Sequence, residues 1–331
     1  MKFYTNITRW GNHLLLRQVV NGERINQRIK YSPTLYCIVN KPTEYKTLDG
    51  KYVTPVKHET MKEANEWIDN YQSDLIFGNN LYQYSYLSEQ YPNRVDWDME
   101  KLLIVTIDIE VQCENGFPDP EKALEELLSI TIKNHQTKEI VVWGIGDFKS
   151  NRNDVHYVSC ENELHLIKEF LVFWERNHPD VITGWNTEFF DIPYLCNRIK
   201  NRCDEDEIRR LSPWRSVSSR TVFKMGRNHQ LYDIQGVAHL DYFDLYRKFT
   251  YTAQESYRLD HIAFVELGER KDGNPYETFR DWYTKDYQSF IEYNITDVEI
   301  VDKLEDKMKL IELCLTMAYE AKVNYMDVLG Q

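Results

Sequence analysis

The sequence lacks the features that mark membrane, secreted and zinc-binding proteins. No apolar run in its 331 residues reaches the roughly 20 residues that a membrane-spanning helix needs. The first five residues, Met-Lys-Phe-Tyr-Thr, lack the basic and apolar regions of a signal peptide. The six cysteines form no C-x-x-C pair, so their spacing favours neither a zinc site nor a disulfide framework. We therefore expect a protein of the reducing cytoplasm with no membrane partner.

A surplus of basic residues is also missing, because 53 acidic residues outnumber 40 basic ones and the net charge is −13. A non-specific nucleic-acid coat would show the opposite balance. An enzyme that holds cations in an acidic pocket and contacts DNA through a local patch stays compatible with this charge. The hydrophobic content of 42% supports a packed core, and the length allows two domains.

The first hundred residues predict a β-rich α+β domain. The Asn21-Gly22 pair lies between extended runs and is typical of a type I′ hairpin turn. Residues 60–63, Thr-Met-Lys-Glu, form a capping box that opens an amphipathic helix. Residues 79–98 are rich in tyrosine and show no clear period, so we place the end of the first domain at about residue 100.

Residues 101–331 predict a second domain of the α/β class. Residues 102–111 form an apolar run of β-branched side chains, which is typical of a central strand. Further strands are expected at residues 130–132, 140–143 and 181–184, and helices at Glu163–Arg176, after Asn186 and over most of residues 285–321. This order of strands and helices predicts a layered α/β architecture.

Two acidic residues interrupt the apolar central strand. Asp108 and Glu110 are two positions apart, so both side chains point to the same face of the strand. Burying two like charges together costs several kcal/mol unless something neutralises them. One interpretation is that the acids emerge into solvent or pair with an arginine, and for a single D-x-E this is the commoner outcome. The other is that they are oxygen ligands for Mg²⁺ or Mn²⁺.

Three further residues are candidates for the same chemistry. Asp191 lies between Phe190 and Ile192, an unusual place for a solvated acid, although the helix dipole also favours an acid in a first turn. Tyr293 and Asp297 are i,i+4 neighbours that share one helix face. This pair indicates either an ordinary hydrogen bond on an exposed helix or a phenol that orients a water beside a metal ligand.

In chain order these residues resemble the three exonuclease motifs of the DnaQ-like, ribonuclease H-like fold, D-x-E, N-x(3)-F-D and Y-x(3)-D. The second motif is residues 186–191, Asn-Thr-Glu-Phe-Phe-Asp. The resemblance implies a mixed sheet flanked by helices and two bound cations, Mg²⁺ or Mn²⁺, one to activate water and one to stabilise the leaving 3′ oxygen. It also implies that Tyr293 assists the attacking water and that the metal ligands are Asp108, Glu110, Asp191 and Asp297.

The chain further resembles the N-terminal and exonuclease domains of family B DNA polymerases from T-even-like bacteriophages. The resemblance is carried by residues 116–120, 183–186, 211–213, 240–249 and 319–322. It implies a 3′→5′ proofreading exonuclease that acts in the cytoplasm of an infected bacterium. Its substrate would be the single-stranded or frayed 3′ end of a DNA primer.

The same resemblance implies several DNA contacts. Phe117 is similar to the aromatic residue that stacks near the 3′-terminal base, and Asn186 belongs to the second motif. Residues 222–234 resemble the β-hairpin that helps to separate primer from template. Met225 and Arg227 lie at the expected tip of this hairpin.

The polymerising motifs D-x-x-S-L-Y-P-S and D-T-D are absent from the 331 residues. We therefore expect either a natural half of a split polymerase or a shortened form of a longer one. A separate subunit carrying the palm, fingers and thumb is the corresponding partner. It would cover an exposed apolar face with Leu310, Leu313 and Met317, together with residues 323–329.

Two alternative functions come from other classes. The first is a non-catalytic nucleic-acid-binding or assembly fragment of a split DNA polymerase, which the replacement of any motif acid would favour. All of the motif acids are present. The second is an RNA-directed exonuclease of the same fold, and the phage-polymerase segments outside the three motifs argue against it.

Overall fold

A computed structural model describes residues 1–71, 75–114, 116–224, 226–270 and 273–330. The chain divides into two compact units. The first comprises Met1–Trp97 with Thr316–Val328, and the second comprises Asp98–Leu315 with the residues after Val328. The second half of the last helix thus groups with the first unit. The assignment of residues 1–100 and 101–331 as two polymerase domains stays a prediction.

The first unit begins with a three-stranded antiparallel sheet made of β1 (Lys2–Trp10), β2 (His13–Val20) and β3 (Glu23–Lys30). Val20 pairs with Glu23, which leaves two residues in the turn between β2 and β3. Asn21 and Gly22 both have positive φ, at 53° and 89°, as a type I′ turn requires. The predicted hairpin is therefore confirmed.

A second sheet of the first unit has the order β5-β6-β4-β7. The Thr60 hydroxyl accepts a hydrogen bond from the Glu63 backbone N–H at 3.1 Å and caps the first helix, as the capping box predicted. The remaining elements of this unit are β4 (Thr34–Ile38), β5 (Tyr45–Lys46), β6 (Tyr52–Lys57), α1 (Met61–Asn70), β7 (Ile76–Phe77) and α2 (Tyr82–Gln90).

The second unit contains a six-stranded sheet of order β11-β10-β9-β8-β12-β15. Its central strand β8 runs antiparallel to β9 and parallel to β12, so the mixed sheet is confirmed. The strands of this unit are β8 (Ile104–Val111), β9 (Leu127–Asn134), β10 (Ile140–Gly144), β11 (Val155–Ser159), β12 (Val181–Thr183), β13 (Val217–Lys224), β14 (Arg227–Ile234) and β15 (Ala238–His239).

Helices cover both faces of this sheet. On one face Ile107 and Ile109 of β8 join a core with Leu166 and Phe170, and on the other face a second core includes Phe290. The helices are α3 (Glu163–Arg176), α4 (Asp191–Arg202), α5 (Tyr242–Phe249), α6 (Leu259–Leu267), α7 (Phe279–Lys285), α8 (Tyr287–Met308) and α9 (Leu310–Ala321). Helix α3 has the predicted bounds. In the part of the chain that the structure describes, no helix is long and apolar enough to cross a membrane.

Strands β13 and β14 form the predicted hairpin, which starts earlier than expected. The two strands are paired from Val217 with Ile234 to Lys224 with Arg227. The sequence interpretation began the hairpin at residue 222, because most side chains of β13 are polar and show no buried alternation. Met225 lies outside the described residues.

One expectation about the last helix is wrong. Leu310 was predicted on an exposed apolar face, but it is 5% exposed and belongs to the core. Leu313 and Met317 are 42% and 43% exposed, as expected. Helical spacing shows which residues share a face and does not show which face the rest of the fold covers.

Gly184 directly follows β12 and allows this strand to approach β8 closely. A Cβ atom at this position would lie 2.6 Å from the carbonyl oxygen of Ile107 and would overlap the side chain of Thr187. A residue with a side chain would therefore push β12 away from the strand that carries Asp108.

We expect Gly184→Ala to lower the free energy of unfolding by about 1–3 kcal/mol, the usual range for overpacking. Chemical denaturation measures this change. Gly273→Ala is the matched control, because nothing lies within 4 Å of its Cβ position. Equal stability of the two variants would contradict the close approach at Gly184.

Candidate metal centre and active site

Strand β8 carries Asp108 and Glu110 on the face opposite to its core residues. Alternation along the strand sends Ile107 and Ile109 into the core shared with α3 and α4. Glu110 is 9% exposed and Asp108 is half-buried. The apolar packing of one face therefore fixes two carboxylates on the other.

Helix α8 packs on β8 and β9 and adds Asp297 to this pair. Carboxylate oxygens of Asp108, Glu110 and Asp297 all lie within 4.8 Å of one another. Like charges at this separation repel, and hard oxygen donors are the ligands that divalent cations such as Mg²⁺ and Mn²⁺ prefer. The donor set therefore fits a divalent metal ion.

Asp191 is the first residue of α4 and faces the same cavity. Its carboxylate accepts a hydrogen bond from the Ile109 backbone N–H at 3.1 Å, between the two acids of β8. Burial raises the pKa of Asp191 to about 7, and the charge of Asp297 acts in the same direction against the backbone hydrogen bonds. The structure thus brings three predicted acids into one cluster and holds the fourth beside it.

Tyr293 precedes Asp297 by one helical turn and lines the same cavity. Burial raises the pKa of its phenol well above the usual range, and the charges of Asp297, Glu110 and Asp108 add to this effect. Its ring packs against Trp282 with 4.8 Å between ring centroids. The phenol is therefore held in place and protonated beside the carboxylates.

Asn294 is a contributor that the sequence reasoning missed. Its side chain is fully buried, and its amide nitrogen donates a hydrogen bond to Oδ2 of Asp108 at 2.5 Å. Its amide oxygen accepts from the hydroxyls of Ser129, at 2.9 Å, and of Thr131. Asn294 thus fixes the orientation of Asp108. The only signal in the sequence was its place inside the Y-x(3)-D motif.

Asp241 stabilises the loop that leads into α4 and was also missed as a functional residue. Its carboxylate accepts hydrogen bonds from the backbone N–H groups of Asn186 at 3.0 Å and Glu188 at 2.9 Å. Asn186 has a left-handed backbone with φ 65°, which these hydrogen bonds help to hold. Burial raises the pKa of Asp241 to about 8. The loop that leads into α4 is therefore fixed by a residue some fifty positions away.

A cavity of about 460 Å³ brings most of the predicted residues together. Phe117 is 82% exposed at its edge, with its ring 4.9 Å from that of Phe190. A second cavity of about 370 Å³ shares Asp108, Tyr293 and Asp297 with the first. The predicted residues that line the first cavity are Asp108, Glu110, Phe117, Asn186, Asp191, Tyr293 and Asp297.

The predicted hairpin contacts lie elsewhere. Arg227 begins β14, is exposed and does not line either cavity, and its Nε donates to Nε2 of His229 at 3.3 Å. Met225 falls outside the residues that the structure describes, so its contact stays a prediction. Lys224 of β13 lies 4.3 Å from the ring centroid of Phe189, in the loop that precedes α4.

A second acidic cluster in the described residues, His135 with Asp302 and Asp306, has a different character. The ammonium group of Lys138 lies 2.9 Å from both oxygens of Asp302 and 3.0 Å from Asp306. Lys133 adds a second ammonium group at 3.5 Å from Asp302. Because lysines already neutralise these carboxylates, this cluster is an ion-pair network.

The chain is similar in sequence to several known proteins. The model of the family described as "DNA polymerase family B, exonuclease domain" matches residues 68–262. The chain is 31% identical to the DNA-directed DNA polymerases of Escherichia phage RB69 and Enterobacteria phage T4 over 99% of its length. These matches cover 39% and 40% of the two relatives, so the chain spans about two fifths of their length. A DNA polymerase of Orgyia pseudotsugata multicapsid polyhedrosis virus is 29% identical over 48% of this chain and 16% of its own.

The raised pKa of Asp191 predicts how the metal-free protein responds to pH. The folded state holds this proton up to about pH 7, whereas the unfolded state releases it near the ordinary value of 3.8. The folded state binds more protons in between, so stability falls as pH rises from about 4 to about 7. Each pKa unit corresponds to about 1.4 kcal/mol, so the wild type should lose a few kcal/mol relative to Asp191→Asn over this window.

Denaturant unfolding in EDTA at several pH values from 4.5 to 7.5 measures the difference. Asp147→Asn changes the same chemical group at an exposed position and serves as the control. A wild type that keeps or gains stability relative to Asp191→Asn as pH rises from 4.5 to 7.5 would contradict the raised pKa.

Proposed function

Because the chain belongs to the exonuclease-domain family of the family B DNA polymerases, we propose that it is a metal-dependent 3′→5′ exodeoxyribonuclease. It hydrolyses the terminal phosphodiester of a single-stranded or frayed DNA primer, as proofreading in phage replication requires. Its place of action is the cytoplasm of the infected bacterium. The observation that carries the proposal is the carboxylate cluster of Asp108, Glu110 and Asp297, with Asp191 in the same cavity.

The four acids are the proposed holders of two Mg²⁺ or Mn²⁺ ions. Bound cations of this kind neutralise the charge of the phosphate, activate water and stabilise the leaving 3′ oxygen. The chain supplies the framework for them. Asn294 keeps the Asp108 carboxylate turned toward the cluster, and the Ile109 backbone N–H holds Asp191.

Tyr293 is the proposed orienting group for the attacking water. Its phenol stays protonated because burial and three neighbouring carboxylates raise its pKa, so it can donate a hydrogen bond throughout the neutral range. Its packing on Trp282 limits the positions that the hydroxyl can take. A positioned donor of this kind lowers the entropic cost of bringing water to the phosphate.

Phe117, Asn186, Met225 and Arg227 are the proposed DNA contacts. An exposed aromatic ring at the cavity edge suits the stacking of a terminal base, which contributes roughly 1–3 kcal/mol per base. Asn186 offers an amide inside the cavity. Arg227 begins β14 of the hairpin, where it would contact a strand outside the cavity. Met225 is proposed to contact the same strand.

The polymerising part is the proposed partner of this exonuclease. The two phage relatives are named DNA-directed DNA polymerases, and the match covers about two fifths of each. We propose that the chain works with a palm, fingers and thumb, either on a separate subunit or within a longer form of the same polymerase. The alternative of a non-catalytic nucleic-acid-binding or assembly fragment has less support, because every motif acid is present and three of them cluster.

The purified chain should shorten a 5′-labelled single-stranded oligonucleotide from its 3′ end when Mg²⁺ or Mn²⁺ is present. Gel analysis should show a descending ladder and the release of mononucleotides, and EDTA should abolish both. Internal cuts without a ladder, or no cleavage at high protein concentration, would contradict the proposed function.

The double variant Asp108→Ala/Glu110→Ala should lose hydrolysis down to background and keep its fold. Removing two carboxylates that repel each other should leave the metal-free unfolding temperature unchanged or raise it. Glu255→Ala/Glu277→Ala removes the same charge from exposed positions and controls for net charge. Wild-type hydrolysis by the first double variant would refute the site.

Phe117→Ala should raise KM for single-stranded DNA about fivefold to a hundredfold, the range that corresponds to the loss of one stacked base. Its circular dichroism spectrum should stay unchanged, because Phe117 is 82% exposed. Phe264→Ala, at another exposed phenylalanine, is the control and should leave KM unchanged. An equal KM for both variants would exclude stacking at Phe117.

A further inference from the structure

Two cavities meet at the carboxylate cluster, and both contain the same positively charged side chain. Asp108, Tyr293 and Asp297 line both cavities, and so does Arg258. Among the described residues that line either cavity, Arg258 is the one cation. An arginine stands out in this lining because the other charged side chains among the described lining residues are acidic.

The backbone of Arg258 is anchored while its side chain is exposed. Arg258 is the N-cap of α6, and its backbone N–H donates to the Ser256 hydroxyl at 3.3 Å. The helix that follows buries Ile262 and Ala263. Within the described part of the chain, no hydrogen bond or ion pair holds the guanidinium group. The charge is therefore presented to the cavities and not used by the fold.

Trp185 forms the wall beside this arginine. It lines both cavities, and its indole N–H donates to the carbonyl oxygen of Tyr257 at 3.0 Å. Tyr257 directly precedes Arg258, so this hydrogen bond ties the residue before the second motif to the start of α6. The position of Arg258 relative to the carboxylates is thus fixed by the exonuclease fold itself.

The acidic side chains of the cavity repel the negatively charged substrate, and Arg258 can offset part of this repulsion. A DNA strand brings one negative charge per phosphate to a cavity that already holds Asp108, Glu110, Asp191 and Asp297. Cations held by these acids offset part of the repulsion at the bond that is cleaved. A positive side chain beside the neighbouring phosphate would offset the repulsion that this second phosphate meets. The guanidinium group of arginine presents a planar set of N–H donors that matches two phosphate oxygens.

We propose that Arg258 binds the non-bridging oxygens of a DNA backbone phosphate next to the bond that is hydrolysed. This inference rests on the proposed exonuclease function and adds a substrate contact to it. Arg258 holds the strand in register with the carboxylate cluster, and its contribution is independent of the base. Arg258 is not part of the three motifs, so motif matching cannot detect it.

A different role would make Arg258 an internal counterion of the acidic site in the metal-free protein. In that case its loss would disturb the arrangement of the acids and weaken metal binding. In the proposed role its loss removes a positive charge from beside the metal ligands, so Mn²⁺ should bind equally well or more tightly. Mn²⁺ titration of the protein without DNA separates the two roles.

The experiment compares the wild type with Arg258→Ala, Arg258→Lys and Arg270→Ala. Arg270 lies beyond the other end of α6, packs over Phe264 and lines neither cavity, so its replacement changes the net charge equally. Binding of a fluorescein-labelled single-stranded oligothymidylate is followed by anisotropy in Ca²⁺ at several NaCl concentrations. A gel of each sample confirms that the DNA stays intact.

We expect Arg258→Ala to weaken binding about tenfold, as one lost charge-assisted contact does. The slope of log Kd against log salt should decrease by about 0.7, the value for one phosphate of a single strand. Arg258→Lys should keep the slope and weaken binding less, and Arg270→Ala should match the wild type. In Mg²⁺, KM of Arg258→Ala should rise by a similar factor.

An unchanged affinity and slope in Arg258→Ala would overturn the proposal, and so would weaker Mn²⁺ binding by this variant. A wild type that binds DNA but hydrolyses none with Mg²⁺ or Mn²⁺ would overturn the proposed function alone. The anisotropy measurements would still decide the role of Arg258 in that case, because they require binding and not cleavage.

Discussion

Electrostatic repulsion between carboxylates that the fold holds together is the constraint on which this exonuclease unit depends. Oxygens of Asp108, Glu110 and Asp297 lie within 4.8 Å of one another, and two of these acids stand on the central strand of the sheet. The protein tolerates this because Ile107 and Ile109 anchor the same strand in the core. Apolar burial on one face thus supplies the free energy that holds like charges together on the other.

Hydrogen bonds from distant segments convert this tolerated cluster into a defined geometry. Asn294 of α8 bridges Asp108 and the hydroxyls of β9, and the backbone of β8 holds Asp191 at the start of α4. Asp241, just before α5, then fixes the loop that leads to α4. Strand, helices and loop are therefore connected through polar groups that are themselves buried, which gives the site one arrangement and not several.

Local sequence patterns predicted the elements of the fold, whereas the roles of several buried polar residues depend on tertiary contacts. Hydrophobic period and turn chemistry are local properties of the sequence. They therefore predicted the apolar strand around Asp108, the Asn21-Gly22 turn and the bounds of α3. The roles of Asn294 and Asp241 could not be predicted from the sequence, because each depends on a partner at least fifty positions away in the chain. The same limit applies to Leu310, whose burial depends on what covers its helix. The assignments of the individual site residues stay predictions that the geometry supports.

The two acidic clusters on α8 represent two ways of supplying counterions. Asp302 and Asp306 receive theirs from Lys138, which is part of the chain and always present. The cluster around Asp297 is a set of oxygen donors that fits divalent cations, which exchange with the solution. The C-terminal part of α8 is therefore stabilised by ion pairs within the chain, whereas its middle part carries a carboxylate that fits a divalent cation. Cations held by Asp108, Glu110 and Asp297 would link β8 to α8, so the stability of this packing would rise with the free divalent-ion concentration.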